Sequence, residues 1–389
     1  MNGLIGQNIG YSLSNQIYNL NKIDYDIYDV DEKTARDLIL SLNDNEFLNI
    51  TTPYKKLAFN LCDIKDKISK ITGNINLIVK KDGLLNGYNT DYYGLEELFK
   101  FEKMQGKNFA VLGDGSVSDT TVAFLKDKKA NKIKVFSRKN NDYLKNENYK
   151  DFDCMINATT ASPDILDKFE NLKLVIDLTY SPLNSDLLIL AKEKNIKVKN
   201  GLSMLLRQAY ENIYTVYDKK TDINMTKLEL VKRNYNIVLV GMPGSGKTII
   251  GKKLAEKLDM RFLDTDSLIE EKAGNKKVID IIKNDGQKVF RVLEKNQIMS
   301  LEFTKGAIIS TGGGSVEEKD NRKILRKNSI VFYIDRDISK LDTENRPLSI
   351  NLNEIFDKRD KLYRLVSDEI VSNDEIDDTV NQIIKKVIL

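Results

Sequence analysis

Histidine is absent from all 389 residues. That removes the side chain most often used as a general base near neutral pH, and the commonest metal ligand. Any proton transfer therefore falls to Lys, Asp, Glu, Tyr or bound water. Cysteine is almost absent: Cys62 and Cys154 stand far apart, in no CxxC or metal-type spacing, which speaks against a disulfide framework or a zinc module. No apolar run reaches the roughly 18 residues of a membrane-spanning helix, and no segment reads as a signal peptide. An excess of one charge is missing too. Lys and Arg total 61 against 58 Asp and Glu, a net charge of +3 without a concentrated block, which argues against a dedicated nucleic-acid binder. The expectation is a reduced, soluble, cytoplasmic protein that acts on small molecules, as monomer or homodimer, with neither nucleic acid nor membrane as partner.

What is present is more specific. A chain of this length exceeds what one hydrophobic core supports, so at least two domains are expected. Gly241-Met242-Pro243-Gly244-Ser245-Gly246-Lys247-Thr248 meets every fixed position of the G-x-x-x-x-G-K-[ST] phosphate loop. Roughly one chain per hundred of this length would match by chance. The context agrees: residues 236–240 are a short apolar run suited to a buried parallel strand, and residues 248–258 read as a helix with Ile250, Leu254 and Leu258 on one face. Gly241, Gly244 and Gly246, with Ser245 between the last two, let successive backbone N–H groups turn toward phosphates. Lys247 reaches the outer phosphates and the Thr248 hydroxyl can ligate Mg2+. A nucleoside triphosphate site is predicted here.

A second α/β pattern precedes it. Residues 108–112 read as a strand, Gly113-Asp114-Gly115-Ser116-Val117-Ser118 as a turn, the stretch to about residue 128 as a helix, and residues 133–136 as a second strand. This is the βαβ order of a dinucleotide-binding unit, with Gly113, Gly115 and Ser116 at the phosphate turn and Ser118 at the third glycine position. Taken alone, cofactor binding and a plain βαβ turn are equally open. Where an NAD-binding protein places an acid, the chain has Ser137-Arg138-Lys139, which suits the 2'-phosphate of NADP. Between the two patterns, residues 218–234 are polar and poor in hydrophobic periodicity, and a linker with partial helical character is expected there. It separates residues 1–217 from residues 235–389.

Past the phosphate loop come Asp264-Thr265-Asp266 at a predicted strand end, Phe290-Arg291 with Glu294, Thr311-Gly312-Gly313-Gly314, Arg346-Pro347-Leu348, and Arg359 ahead of Tyr363-Arg364. In this order the set resembles shikimate kinase, and the resemblance covers residues 235–389. It implies that ATP and Mg2+ are bound, with Thr248 and Asp264 serving the Mg2+ shell. It implies that Asp266 binds the ring hydroxyls and orients the proton of the 3-hydroxyl, and that Arg291 and Arg359 grip the shikimate carboxylate bidentately. By the same likeness Gly312, Gly313 and Gly314 bring backbone N–H groups to the substrate, while Lys247 and Arg346 balance charge on the transferring phosphoryl group. Gln287 departs from the acid that the family usually places there.

Residues 1–217 are similar to shikimate dehydrogenase. The likeness rests on Ser12-Leu13-Ser14, Asn49-Ile50-Thr51-Thr52-Pro53-Tyr54-Lys55, Gly73 with Asn76, Gly87-Tyr88-Asn89-Thr90-Asp91, Asn157-Ala158-Thr159, Asp177 with Tyr180, and the stretch from Gly201 to Gln208. It implies that NADPH is the cofactor, that Ser12 and Ser14 hold the substrate carboxylate, and that Thr51, Asn76, Asp91 and Gln208 contact ring hydroxyls, with Tyr180 at the substrate. Lys55 and Asp91 are implied as the catalytic pair, a lysine acid suiting a chain without histidine. Tyr11, Asn74, Ser116, Ser118, Thr160 and Ala161 depart from the family pattern.

The expected fold class is α/β: a substrate domain of about residues 1–100 plus 200–217, a Rossmann-like NADP domain of about 101–199, and a phosphate-loop kinase domain with a parallel sheet flanked by helices. The expected function is bifunctional: reduction of 3-dehydroshikimate, then phosphorylation of shikimate. Two alternatives stay open at this point, a catalytically silent amino-terminal module attached to a working kinase, and a kinase for a different small acid.

Overall fold

The computed structural model describes residues 1–10, 12–137, 149–161, 164–341 and 352–388. It contains three sheets. The first is built from β1 (Asn2–Gly6), β2 (Asp26–Asp29), β3 (Phe47–Ile50), β4 (Ile64–Lys65), β5 (Leu77–Lys81) and β6 (Leu84–Tyr88), in the order β2-β1-β3-β5-β6-β4. β1 pairs in parallel with β2 and β3, whereas β5 runs antiparallel to both β3 and β6. The β5–β6 hairpin closes through Asp82-Gly83, both at positive φ (52° and 75°), the two-residue turn whose twist matches that of the flanking strands. Phe47, Leu48 and Ile50 of β3 and Leu77 and Ile78 of β5 are buried on both faces of the sheet.

The second sheet is wholly parallel. β7 (Asn108–Leu112), β8 (Lys132–Phe136), β9 (Cys154–Asn157), β10 (Leu174–Asp177) and β11 (Lys197–Asn200) lie in the order β11-β10-β9-β7-β8. The chain leaves β7 toward one side and β9 toward the other, so a topological switch point opens between their carboxyl ends. Continuous apolar runs such as Phe109, Ala110, Val111 and Leu112 suit strands covered on both faces, and helices such as Ser116–Asp127 supply Phe124 and Leu125 to the core.

The third sheet, also parallel, orders β12 (Asn236–Val240), β13 (Arg261–Asp264), β14 (Ala307–Ser310), β15 (Ser329–Asp335) and β16 (Glu369–Ser372) as β13-β14-β12-β15-β16. β12 is buried along its full length at the centre of the sheet. Because all five strands run the same way, the segments that follow β12, β13, β14 and β15 leave from one edge. Ile250, Leu254 and Leu258 of the helix Lys247–Leu258 are buried against this sheet, as their spacing requires.

Two compact units result: Met1–Ser181 with Ser185–Ala191 and Ile196–Thr226, and Pro182–Asn184 with Lys192–Asn195 and Lys227–Leu389. The division falls inside the helix Ile223–Asn234, in the segment read as a linker. Asp222 starts that helix by accepting from the backbone N–H groups of Asn224 and Met225, each at 3.0 Å. Its second half buries Leu228, Leu230 and Val231, so the segment is ordered by a local cap and by burial, where composition suggested only partial helix. Among the described residues, no helix is long and apolar enough to cross a membrane.

Candidate functional sites

In the amino-terminal unit, Lys55 opens the helix Lys55–Leu61 and Asp91 opens the helix Asp91–Leu98. Their side chains meet at 2.5 Å, Lys55 Nζ donating to Asp91 Oδ2, and both residues are about 95 % buried. The second carboxylate oxygen accepts from the amide of Asn76 at 2.9 Å. The Asn76 Nδ2 also reaches Thr90 Oγ1 at 3.0 Å and Gln208 Oε1 at 3.1 Å. In return Asn76 Oδ1 accepts from the backbone N–H of Thr90 at 2.7 Å. Four of the residues named from sequence, Lys55, Asn76, Asp91 and Gln208, thus form one connected network. Thr51 lies just past β3, its N–H donating to the Ile5 carbonyl at 2.9 Å. Ser14, which is buried, donates its backbone N–H to Ser12 Oγ at 3.2 Å. Tyr180 follows β10 on the carboxyl side of Asp177.

The dinucleotide turn sits at the switch point. Gly113 has φ +108°, and a Cβ there would stand 2.9 Å from Thr159 Cγ2, so only glycine fits between the turn and the Asn157-Ala158-Thr159 segment. Gly115 caps the helix Ser116–Asp127 without a side-chain hydrogen bond, and a Cβ on it would meet nothing within 4 Å. The first N–H groups of that helix are the kind that bind phosphate. Ser118 Oγ is buried without a hydrogen-bond partner among the described residues. These features fit a dinucleotide. Asn74 was noted as a departure, and its role is visible: its amide donates to the carbonyls of Thr72 at 2.9 Å and Ser116 at 3.3 Å, tying the first sheet's loop to the phosphate turn. Asn89 adds a second tie, donating to Thr72 Oγ1 at 2.8 Å and Thr120 Oγ1 at 3.1 Å. Ser137 follows the end of β8 and is buried; Arg138 and Lys139 lie outside the described residues.

In the carboxyl-terminal unit a cavity of about 620 Å³ collects Lys247, Thr248, Asp264, Asp266, Arg291 and Arg359, together with Gly244, Gly246 and the three glycines 312 to 314. Lys247 Nζ donates to the carbonyls of Gly241 at 2.9 Å and Met242 at 2.8 Å, folding the ammonium over its own loop. Ser245 is fully buried, and its carbonyl accepts from Asn373 Nδ2 at 2.7 Å. Gly246 (φ +91°) has no room for a side chain, because a Cβ would stand 2.6 Å from that same Asn373 Nδ2. The loop is therefore braced where it opens the helix Lys247–Leu258, and its Gly244, Gly246 and Lys247 line the cavity, a lining that fits a polyphosphate.

Asp264 and Asp266 were expected together at a strand end. The strand stops at Asp264 and Asp266 stands in the first turn of the helix Thr265–Lys272, because Asp264 acts as the cap. Its Oδ1 accepts from the N–H groups of Asp266 at 3.1 Å and Ser267 at 3.2 Å, while Oδ2 accepts from the Thr248 hydroxyl at 2.8 Å. Thr248 and Asp264 thus converge on one point. Among the described residues no group of three or more acidic or cysteine side chains gathers for a metal, and Mg2+ usually completes its octahedron with water and phosphate oxygens. Asp266 is half-buried, with its Oδ1 enclosed and unpartnered among the described residues. Burial, and then the nearby charges of Asp264 and Glu294, raise its carboxyl to about 7.

Arg291 donates from Nη1 to Glu294 Oε2 at 2.6 Å. A Cβ on Gly314 would overlap this guanidinium, so the glycine makes room for the arginine. Glu294 is nearly fully buried and also accepts from Ser315 Oγ at 2.9 Å. Three residues that sequence reasoning passed over take part here. Asn373 braces the phosphate loop, Glu317 faces both arginines, and Arg336 lines the cavity with its Nε unpartnered among the described residues. None has a local signal: Glu317 belongs to a charged run that reads as a solvated helix start, and Asn373 is far from the loop in sequence. Arg346 lies outside the described residues.

The family model for shikimate kinase matches residues 243–388. A shikimate kinase from Sulfurihydrogenibium sp. is 36% identical over 162 residues, covering 39% of this chain and 95% of that protein. A shikimate dehydrogenase (NADP(+)) from Clostridium perfringens is 33% identical over 261 residues, covering 57% of this chain and 96% of that protein. Among solved structures, shikimate dehydrogenase 1 from Peptoclostridium difficile aligns with a TM-score of 0.52 at 26% identity, over 59% of this chain and 97% of that one.

Proposed function

This chain belongs to the shikimate dehydrogenase family over its amino-terminal part and to the shikimate kinase family over its carboxyl-terminal part, and we propose that it catalyses two consecutive steps on one metabolite. The first reduces 3-dehydroshikimate to shikimate with NADPH; the second phosphorylates the 3-hydroxyl of shikimate with ATP and Mg2+. The observation that carries this reading is that one chain holds both the buried Lys55–Asp91 network and a cavity in which a phosphate loop faces Asp266, Arg291 and Arg359.

For the reduction, bound NADPH would supply the hydride that the ketone carbon takes up. The Lys55 ammonium gives its proton to the ketone oxygen as negative charge builds there. Asp91 keeps that ammonium in place, and Asn76 fixes the Asp91 carboxylate and, with Gln208 and Thr51, is aimed at ring hydroxyls. Ser12 and Ser14 receive the carboxylate and Tyr180 closes on the substrate. Gly113, Gly115 and Ser116 receive the cofactor's pyrophosphate, with Ser137, Arg138 and Lys139 assigned to its 2'-phosphate.

For the phosphorylation, the Gly241 to Thr248 loop would cradle the nucleotide phosphates, and Thr248 with Asp264 would hold Mg2+, which would offset phosphate charge. Asp266 orients the attacking hydroxyl and takes up its proton as the oxygen bonds to the terminal phosphorus and the bond to the ADP oxygen breaks. Arg291 and Arg359 hold the substrate carboxylate, Gly312, Gly313 and Gly314 let it approach the backbone, and Lys247 and Arg346 offset charge on the moving phosphoryl group. Domain limits of 1–217 and 235–389 belong to the same proposal.

The test is a coupled assay on the purified chain. With 3-dehydroshikimate, NADPH, ATP and Mg2+, NADPH consumption should precede ADP release, and omitting NADPH should suppress both. Phosphorylation of added shikimate without any NADPH oxidation would return the amino-terminal part to a binding module.

A further inference from the structure

The two arginines assigned to the substrate carboxylate already face a carboxylate of the chain itself. Glu317 Oε1 accepts from Arg359 Nε at 2.8 Å and lies 2.6 Å from its Nη2, so one whole edge of that guanidinium is engaged. The same oxygen stands 3.6 Å from Arg291 Nη2. Its other oxygen accepts from Lys358 Nζ at 2.5 Å. Burial alone would raise the Glu317 carboxyl, but the hydrogen bonds from Lys358 and Arg359 and the charge of Arg291 hold it below the usual range. It is therefore an anion at working pH.

We propose that Glu317 is an internal competitor for the anion seat of Arg291 and Arg359, setting the substrate's affinity and restricting the site to ligands that bring a carboxylate of their own. This rests on the assignment of that seat to the substrate carboxylate. A guanidinium offers a limited set of N–H donors in fixed directions, and the Nε/Nη2 edge of Arg359 cannot serve two carboxylates at full strength. Arg291 is committed on its other side to Glu294. An incoming carboxylate must take the Arg359 edge from Glu317, and a neutral analogue has nothing with which to do so.

The surroundings allow the exchange. Glu317 sits between the Gly312 to Gly314 turn and the helix Lys319–Lys327, outside regular structure, with a side chain 21 % exposed. Lys358 has a side chain 67 % exposed, on the solvent side of the pair. A displaced Glu317 keeps the ammonium of Lys358 as partner, so its charge is never left unpaired. Arg359, nearly fully buried, has no comparable freedom.

The test compares the unmodified chain with Glu317→Gln, which keeps an acceptor for Arg359 while removing the charge and the acceptor that faces Lys358, and with Glu317→Asp, which keeps the charge. Equilibrium binding of shikimate and steady-state phosphorylation are measured for all three, with thermal melts as a check on folding. Glu317→Gln should bind shikimate about tenfold more tightly, equivalent to about 1.4 kcal/mol, with KM falling in step and kcat unchanged or lower, because the product keeps the same carboxylate. Glu317→Asp should stay close to the unmodified chain. Equal or weaker binding by Glu317→Gln would overturn the proposal and make Glu317 a brace for the arginines. If the unmodified chain and Glu317→Gln both fail to bind shikimate while still binding ATP, the assignment of the seat itself falls, and the proposal with it.

Discussion

Lys55 and Asp91 form an ion pair at 2.5 Å in which each partner opens a different helix and neither is more than a few per cent exposed. A buried pair of this kind resists loss of one member, since the other is left charged and unpaired. The proposed chemistry asks for both members as well, so the effects of substitution have to be separated from unfolding.

Lys55→Met should lower the rate of NADPH oxidation with 3-dehydroshikimate by about 10²–10⁴-fold, the range typical of a lost general acid. Shikimate phosphorylation by the same preparation should stay within twofold. Stopped assays for both activities, alongside a thermal melt, decide the matter. Retention of reduction would remove Lys55 from the reaction.

Asp266→Asn should produce the reverse pattern. The substitution removes a buried carboxyl whose neighbours Asp264 and Glu294 are also acidic, so the fold should tolerate it or gain from it. ADP release with shikimate should fall at least about a hundredfold, and reduction should persist. Loss of both activities would argue against independent sites.

Gly246→Ala places a methyl group 2.6 Å from Asn373 Nδ2 at a residue with φ +91°. Both the left-handed backbone and the contact oppose it. The expected outcome is at least about tenfold weaker ATP binding by calorimetry, with the affinity for NADPH unchanged.

The two thiols should be inert in the native protein. Burial pushes Cys62 up to about 12 and carries Cys154 well above its ordinary value. The thiolate is the reactive form, so at pH 8 about one Cys62 in ten thousand is available. Ellman's reagent should release almost no product from the folded chain and two equivalents after denaturation, one from each of the two cysteines. Fast labelling of either thiol in the native state would contradict this burial.

Much of the architecture could be read in advance where a local rule dictates geometry. The strand at 236–240 and the helix after it follow from an apolar run, a glycine loop and a 3.6-residue stripe, and the structure places β12 and the helix Lys247–Leu258 there. The position of Asp266 was harder to read, because a single side chain, Asp264, turns the chain from strand to helix by accepting two N–H groups. Alternation alone carries no mark of that cap. Glu317 and Asn373 were illegible for another reason. Each meets a residue more than forty positions away, and nothing near them in sequence distinguishes a side chain that contacts the site from a solvated polar group. The ties from Asn74 to Ser116 and from Asn89 to Thr120 are of the same kind.

The two oxygens of Asp264 divide their work. Oδ1 starts a helix and Oδ2 meets the Thr248 hydroxyl. On the proposed reading, a divalent ion recruited by Oδ2 would leave the cap untouched, and the helix that carries Asp266 would keep its first turn as the metal comes and goes. One carboxylate would thereby separate a permanent structural duty from a cyclic chemical one.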